Sequence, residues 1–482
     1  MRQAHIFDQR RTGLLLHITS LPSGNLGQDA YRFVDFLQSA GVSVWQMLPL
    51  GPTHGDRSPY QCLSAHAGNN RLICADRLKA EAWAEADKLN DLKKSELIAH
   101  AYRQFIDAAD EDEKQAFSTF CLQHQYWLED YVLFRELRHL NQSQAWFDWP
   151  PALRDRAPQA LDKVRGERQE ALNIRRFEQF IFYRQWHQLR AYANERGVNL
   201  FGDIPIFVAH DSADVWAEPD LFTLDEQGQP TRVAGVPPDY FSETGQRWGN
   251  PLYQWSRHIE HNFDWWRRRL QTQLECFDLI RIDHFRGFEA CWEIPASCET
   301  AIDGQWVTAP GEQLFDTMLA HFGELPLVAE DLGIITDEVT ALREKYAMPG
   351  MKILQFAFGG DASNPYLPHQ QCEDSVTYTG THDNNTTLGW YQSLEEHVKA
   401  HLHAYLGETS ETMPWLLIRT ALSSVSELAV VPMQDILSLD GEHRMNVPGT
   451  VEGNWGWQFE WDRVDDEIAA KLKALNDLYG RQ

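Results

Sequence analysis

Four apolar runs in this chain end in carboxylates, and the surroundings of those carboxylates differ in ways that chemistry can use. The first run closes on Gly202-Asp203-Ile204-Pro205, and the second reads Leu279-Ile280-Arg281-Ile282-Asp283-His284. The third is Leu327-Val328-Ala329-Glu330-Asp331, and the fourth is Tyr378-Thr379-Gly380-Thr381-His382-Asp383. Arg281 and Asp283 are two apart, so on a strand they face the same side. An inward Arg beside an inward Asp holds that carboxylate ionised, as a nucleophile must be. Glu330 emerges from an apolar approach, which raises a carboxyl pKa and suits a general acid. Each has a plainer reading. Arg281 and Asp283 could be an ion pair that fixes the scaffold, and Glu330 a helix N-cap or loop carboxylate. His382-Asp383 reads as a sugar-hydroxyl clamp, a metal site or a surface turn. Together they supply what glycoside chemistry needs: one carboxylate to attack the anomeric carbon, one to protonate the leaving oxygen, and more negative charge nearby. Residue types and spacing point to an enzyme acting on sugar.

Those groups must be held by something rigid. Eight apolar runs recur along the chain: Leu14–Ile18, Val42–Leu48, Asn199–Val208, Leu279–His284, Leu327–Asp331, Met351–Phe356, Val376–Thr381 and Leu428–Asp435. Near-continuous apolar runs suit parallel strands buried on both faces. Helical patterns lie between them. Ala30–Ala40 carries Tyr31, Val34 and Leu37 on one face with Asp29 as its expected N-cap; Thr336 caps another helix, and Met413–Ser426 reads as a third. Val464, Ile468, Leu472, Leu475 and Leu478 form the stripe of a closing helix. The fold class is therefore α/β: a (β/α)8 TIM barrel, with catalytic groups on the C-terminal ends of the strands.

Two connections exceed ordinary loops. Residues 51–196 separate the second and third runs and include a helical subdomain over about 80–195, where Tyr126, Leu128, Tyr131, Leu133 and Leu137 recur at helical spacing. Residues 209–257 are rich in Gly, Pro and Asp and read as loop-rich. Both insertions are expected over the C-terminal face of one catalytic barrel spanning 1–482.

Composition narrows the partners. The balance of 43 Lys and Arg against 70 Asp and Glu gives a net charge of −27, a surface that repels phosphate backbones and anionic lipid. Nucleic acid and membrane are thus not expected, whereas a neutral polyhydroxylated ligand is indifferent to that field. The seven cysteines form no CxxC pair, which argues against a disulfide framework and a zinc ribbon. The opening Met1–Asp8 has no apolar leader core, so a cytoplasmic setting is expected. No metal or other cofactor is called for.

Read in full, the motifs resemble the 4-α-glucanotransferases known as amylomaltases or disproportionating enzymes, glycoside hydrolase family 77. The matching stretches are Trp45-Gln46-Met47-Leu48-Pro49-Leu50-Gly51-Pro52, Ser58-Pro59-Tyr60-Gln61, Gly202-Asp203-Ile204-Pro205 and Asp211-Ser212-Ala213-Asp214-Val215-Trp216. Further on they are Pro237-Pro238-Asp239-Tyr240-Phe241-Ser242, Arg247-Trp248-Gly249-Asn250-Pro251, Arg281-Ile282-Asp283-His284-Phe285-Arg286-Gly287, Ala329-Glu330-Asp331-Leu332-Gly333 and Thr381-His382-Asp383-Asn384. They run in family order across roughly residues 13–460.

The resemblance implies transfer of α-1,4-glucan segments between maltodextrins, with retention and through a covalent glucosyl-enzyme. It implies Asp283 as nucleophile, Glu330 as general acid/base and Asp383 as the third carboxylate. It further implies that Asp203, Arg281 and His382 line the donor subsite and that Ser58, Tyr60 and Trp248 contact glucan. The 233–251 segment resembles a loop that covers the site and keeps water from the intermediate. His54-Gly55-Asp56-Arg57 stands where some members carry a tyrosine of a second glucan site, and Gln458 stands where an Arg is often found. Three alternatives share parts of this pattern: an α-amylase-type hydrolase, a non-catalytic glucan-binding protein, and a metal-dependent hydrolase using His284 and His382. Oligomeric state is open.

Overall fold

The computed structural model describes residues 5–80, 93–238, 242–407 and 409–481. The eight apolar runs each form a strand: β1 Arg11–Leu15, β2 Val44–Gln46, β3 Asn199–Pro205, β6 Leu279–Asp283, β9 Leu327–Ala329, β10 Gly350–Ile353, β11 Ser375–Tyr378 and β12 Leu428–Pro432. They pair in parallel in the order β10-β11-β12-β1-β2-β3-β6-β9. Ala329 N–H donates to the Pro349 carbonyl at 2.9 Å and draws β9 to the start of β10, bringing the ring nearly to closure. The expected (β/α)8 barrel is the fold the chain adopts.

Alternation along the strands explains the two apolar layers. Leu15, Val44, Phe201, Leu279, Val328, Met351, Val376 and Leu428 fill the barrel interior. Leu14, Trp45, Leu200, Ile204, Ile280 and Ile282 point the other way, into the larger core beneath the helices. Gly202 faces that outer layer, where the Phe277 ring lies 2.3 Å from where a Cβ would sit, so any side chain there would displace the ring. With Phe201 and Leu279 pointing in, the residues two further on, Asp203 and Arg281, point in as well and stand opposite each other in register.

The helical insertion comprises Lys94–Ala108, Glu111–Gln123, Gln125–Leu140, two short helices and the long Gln169–Glu195; the helical expectation for residues 81–92 lies outside the described residues. It serves as a clamp. Gln179 pairs both amide atoms with the backbone of Gly68 (2.8 and 3.0 Å), and Gln185 does the same with Cys74 (2.7 and 3.1 Å). Tyr183 adds a bond to the His66 carbonyl at 2.6 Å. These bonds satisfy backbone groups of the irregular stretch from His66 to Cys74, which lies a few residues beyond Tyr60.

The 209–257 segment departs from a loop-rich reading. Strands β4 Arg232–Val236 and β5 Gln246–Pro251 form an antiparallel hairpin, extended by β7 Ala290–Pro295 and β8 Gln305–Thr308 into a second sheet of order β5-β4-β7-β8. Glycines hid the hairpin. At Gly235 a Cβ would lie 2.2 Å from the Gln246 carbonyl, so this close pairing demands a residue that ordinarily argues against a strand. Residues 239–241, the middle of the expected covering segment, lie outside the described residues.

Smaller departures follow from tertiary partners. The first long helix runs Gln28–Ser39 with Gly27 at the N-cap. Asp29 instead sits in the first turn and accepts from Ser23 N–H and Trp461 Nε1. Phe33 replaces Tyr31 on the buried face. The Met413–Ser426 helix is shorter, Trp415–Ser423, and the closing helix is Asp466–Tyr479, with Leu472 and Leu475 buried but Leu478 exposed.

Candidate active site

Arg281 is the hinge of the site. It is buried at the top of the barrel, and its guanidinium spans two carboxylates, donating to Asp203 at 2.7 Å and to Asp283 at 2.9 Å. Burial pushes the Asp203 carboxyl up, while Arg281 and the Tyr60 hydroxyl, which donates to it at 2.6 Å, pull it down. Asp283 lies at the rim, its side chain about 29% exposed, so an incoming ligand can reach it. A second buried arginine, Arg269, donates to the Ile206 carbonyl at 3.0 Å from beneath and stiffens the backbone that carries Asp203.

Glu330 is held differently. It follows Ala329, the register partner of Ile282, so it emerges beside Asp283 on the neighbouring strand. His284 takes a left-handed conformation, φ 54° and ψ 51°, which turns its N–H onto Glu330 Oε2 at 2.6 Å. A non-glycine residue in that region costs free energy, and here the cost accompanies the placement of a carboxylate. Leu332 N–H donates to Oε1 at 3.0 Å. Desolvation is the main influence on Glu330 and Asp283 adds to it; against the opposing pull of Arg281 and the two amides the carboxyl rises to about 7. Two carboxylates on adjacent strands thus have divergent environments, one paired with a buried guanidinium and the other desolvated and held by amides.

The sequence-chosen aromatic and histidine residues gather around this pair. Tyr60 stacks on His382 with centroids 5.3 Å apart and planes 13° apart. Its phenol is pushed up chiefly by burial, with the charges of Asp203, Asp283 and Asp383 adding to the effect, so those carboxylates surround it. Trp248, on β5, meets His284 edge-on at 4.8 Å and brings the second sheet beside Asp283. Asp383 has a half-exposed side chain that accepts from Asn446 Nδ2 at 2.6 Å. Ser58 is placed one turn from Tyr60, and its hydroxyl accepts the Tyr60 N–H at 3.3 Å. Among the described residues no group of three His, Cys, Asp or Glu side chains is placed to hold a metal ion.

Several contributors were missed by sequence reasoning. Asn446 and Arg444 hold the side chain and the backbone carbonyl of Asp383. Trp455 tilts against both Tyr60 and His382, at 6.0 and 6.1 Å. His17, buried and pushed down to about 3 by desolvation, faces His382 as a neutral ring. The signal for Trp455 was its run of aromatics with Trp457 and Phe459; for the others only the fold brings distant chain segments together. Gln458 donates to the carbonyls of Thr19 and Leu21 at 2.9 and 3.1 Å, so this residue pins the Trp455 segment to the first βα loop. The Asp211–Trp216 motif is scaffolding. Arg138 pairs with Asp211, Ser212 caps the helix Ala213–Ala217, and Asp214 accepts from Ala65 N–H at 2.8 Å.

The family model described as 4-alpha-glucanotransferase, glycoside hydrolase family 77, matches residues 16–463. The chain belongs to that family. It is 48% identical to 4-alpha-glucanotransferase of Thermus thermophilus over 98% of this chain and 99% of that relative. It is 45% identical to the Synechocystis enzyme of the same name, over 99% of both chains. Among solved structures, amylomaltase from Streptococcus agalactiae in complex with acarbose superposes with a TM-score of 0.94 at 37% identity, covering 98% of this chain and 100% of that one. The family expected from the motifs is therefore the one found, and the chain is an enzyme of the transferase class. Family 77 membership also weighs against the hydrolase and binding-protein alternatives.

Proposed function

We propose that this family 77 enzyme moves α-1,4-glucan segments between maltodextrins by double displacement. In the first step the Asp283 carboxylate attacks the anomeric carbon and Glu330 gives its proton to the departing glycosidic oxygen. The glycosidic bond breaks, the reducing-end fragment leaves with that proton, and the other segment is esterified to Asp283. Esterification removes the negative charge that helped hold Glu330 protonated, so the carboxylate left by the first step is a better base than acid. In the second step Glu330 takes the proton of an acceptor hydroxyl, whose oxygen attacks the same carbon and releases Asp283. Two inversions give net retention.

The observation that carries this reading is the pairing of Arg281-bound Asp283 with Glu330 raised to about 7 on the next strand. Asp203, Arg281 and His382 are proposed to hold the sugar at the point of cleavage, with Asp383 binding its hydroxyls. Tyr60 and Trp248 offer ring faces to the chain on either side, and Ser58 lies beside Tyr60. A neutral glucan needs no cationic surface, which fits the acidic balance of the chain. No described helix is long and apolar enough to cross a membrane. All seven cysteines are unpaired, which supports a reducing compartment such as the cytoplasm.

Maltotriose tests the reading directly. Glucose and a ladder of longer oligomers should appear together, with little gain in reducing ends. A steady rise in reducing ends without elongation would identify a hydrolase instead.

A further inference from the structure

We infer that Arg286 is a positioning residue for Glu330: it locks the loop that follows Glu330 to the turn that follows Asp283. The inference rests on reading Glu330 as the general acid.

Glu330 depends on two loops at once, because one oxygen is held by the His284 N–H and the other by the Leu332 N–H. Its orientation is therefore set by the position of residue 332 relative to residue 284. The near end of this junction is fixed by backbone, where Phe285 N–H donates to the Glu330 carbonyl at 3.1 Å. The far end is fixed by Arg286. This residue sits in the short 3-10 turn Phe285–Phe288, and its Nη1 donates to the carbonyl of Ile334. The tie matters because residues 332–334 include Gly333 at φ 85°, and the Ile334 side chain is 56% exposed with no core to hold it. On the opposite side Asp331 accepts from Met351 N–H at 2.7 Å and lies 3.4 Å from Arg343, which tethers the loop to β10. Arg286 supplies the balancing tether toward Asp283. Without it the side of the loop facing Asp283 is tied by backbone at its near end only.

The guanidinium is itself enclosed. Arg286 is only 7% exposed although it lies near the surface, because the Trp306 ring covers it at 3.7 Å. Trp306 is a register partner of Trp292 across β7 and β8 and meets it edge-on at 5.2 Å. The second sheet therefore roofs the clamp, and excluding water strengthens the bond beneath it. A lysine lacks the planar face that stacks on Trp306 here.

The test separates acid catalysis from the rest of the site. Arg286→Gln should lower kcat/KM on maltotriose by about 30- to 300-fold, around the lower end of what general acids contribute. First-turnover fluoride release from an α-glucosyl fluoride, whose leaving group needs little protonation, should stay within about threefold of the parent enzyme. Trp306→Ala keeps the arginine but opens its roof, and should show the same selectivity at about 3- to 10-fold. Circular dichroism and thermal melting report folding; should Arg286→Gln fail to fold, Trp306→Ala carries the test. Equal losses on both donors, or no loss on maltotriose, would overturn the proposal. Glu330→Gln run in parallel keeps the two ideas apart. If it shows no preference for the fluoride, the assignment of Glu330 fails; if it shows the preference and the Arg286 and Trp306 variants do not, the clamp alone fails.

Discussion

The two carboxylates at the centre of the site occupy neighbouring strands yet are held by opposite means. Asp283 belongs to a chain of charge, Asp203–Arg281–Asp283, in which one buried guanidinium serves both acids. Glu330 is held by two backbone amides and otherwise by loss of water. A cation in contact favours the charged form of its carboxylates and at Asp203 works against burial. Amides and burial leave a carboxyl poised, so that its charge follows what happens next door. The difference teaches that the barrel assigns roles through partners, since Asp and Glu have similar ordinary pKa values. It also makes the comparison breakable.

The largest effect is expected from removing the charged partner. Asp283→Ala should lose activity with every donor, by about 10⁴-fold or more, because no covalent intermediate can form. Glu330→Ala should lose about 10²- to 10⁴-fold on maltotriose yet react with an α-glucosyl fluoride. It should then stall as a glycosyl-enzyme whose label mass spectrometry finds on Asp283. A label on Glu330, or an active Asp283→Ala protein, would reverse or abolish the two roles.

The pH profile sharpens the contrast at intermediate size. Glu330 must be protonated in the free enzyme, and its carboxyl is raised to about 7. As pH rises through that value the acid is lost, so kcat/KM should fall about tenfold for each unit above it. In Glu330→Gln the residual activity on the fluoride should lack this alkaline limb. A limb that persists in that variant would belong to another group.

Much of this contrast was legible in the sequence, and the reasons are physical. Barrel strands are buried on both faces, so eight runs stand out by apolarity alone, and a two-residue alternation places Arg281 beside Asp283. Glu330 was readable because its approach is apolar. Its second determinant was not: nothing in the letters Asp283-His284-Phe285 says that His284 turns left-handed and aims its amide at a residue 46 positions later. The β4–β5 hairpin was obscured by the glycines its close pairing requires. Asn446, Arg444 and His17 reach the site because β11, β12 and β1 are neighbours in the sheet, bringing the loops that follow them together. Local pattern encodes which strands exist. Which distant side chains meet above them is a property of strand order.

The smallest effect expected is at Tyr60, and it tests whether the charge chain is self-sufficient. The Tyr60 hydroxyl donates to the same Asp203 oxygen that Arg281 holds, so Asp203 keeps a charged partner when the hydroxyl is gone. Tyr60→Phe removes one hydrogen bond to a charged group, worth about 1.5–3 kcal/mol before relaxation. With Arg281 still in place the loss should lie at or below the lower end, roughly tenfold or less in kcat/KM. The ring would still stack on His382, so the platform for the sugar survives. Tyr60→Ala removes that platform too and should raise KM further without a matching fall in kcat. If Tyr60→Phe instead costs as much as Glu330→Ala, the Asp203–Arg281–Asp283 chain cannot hold its charges without the phenol. The boundary between the two sides of the cleft would then have to be redrawn to include Tyr60.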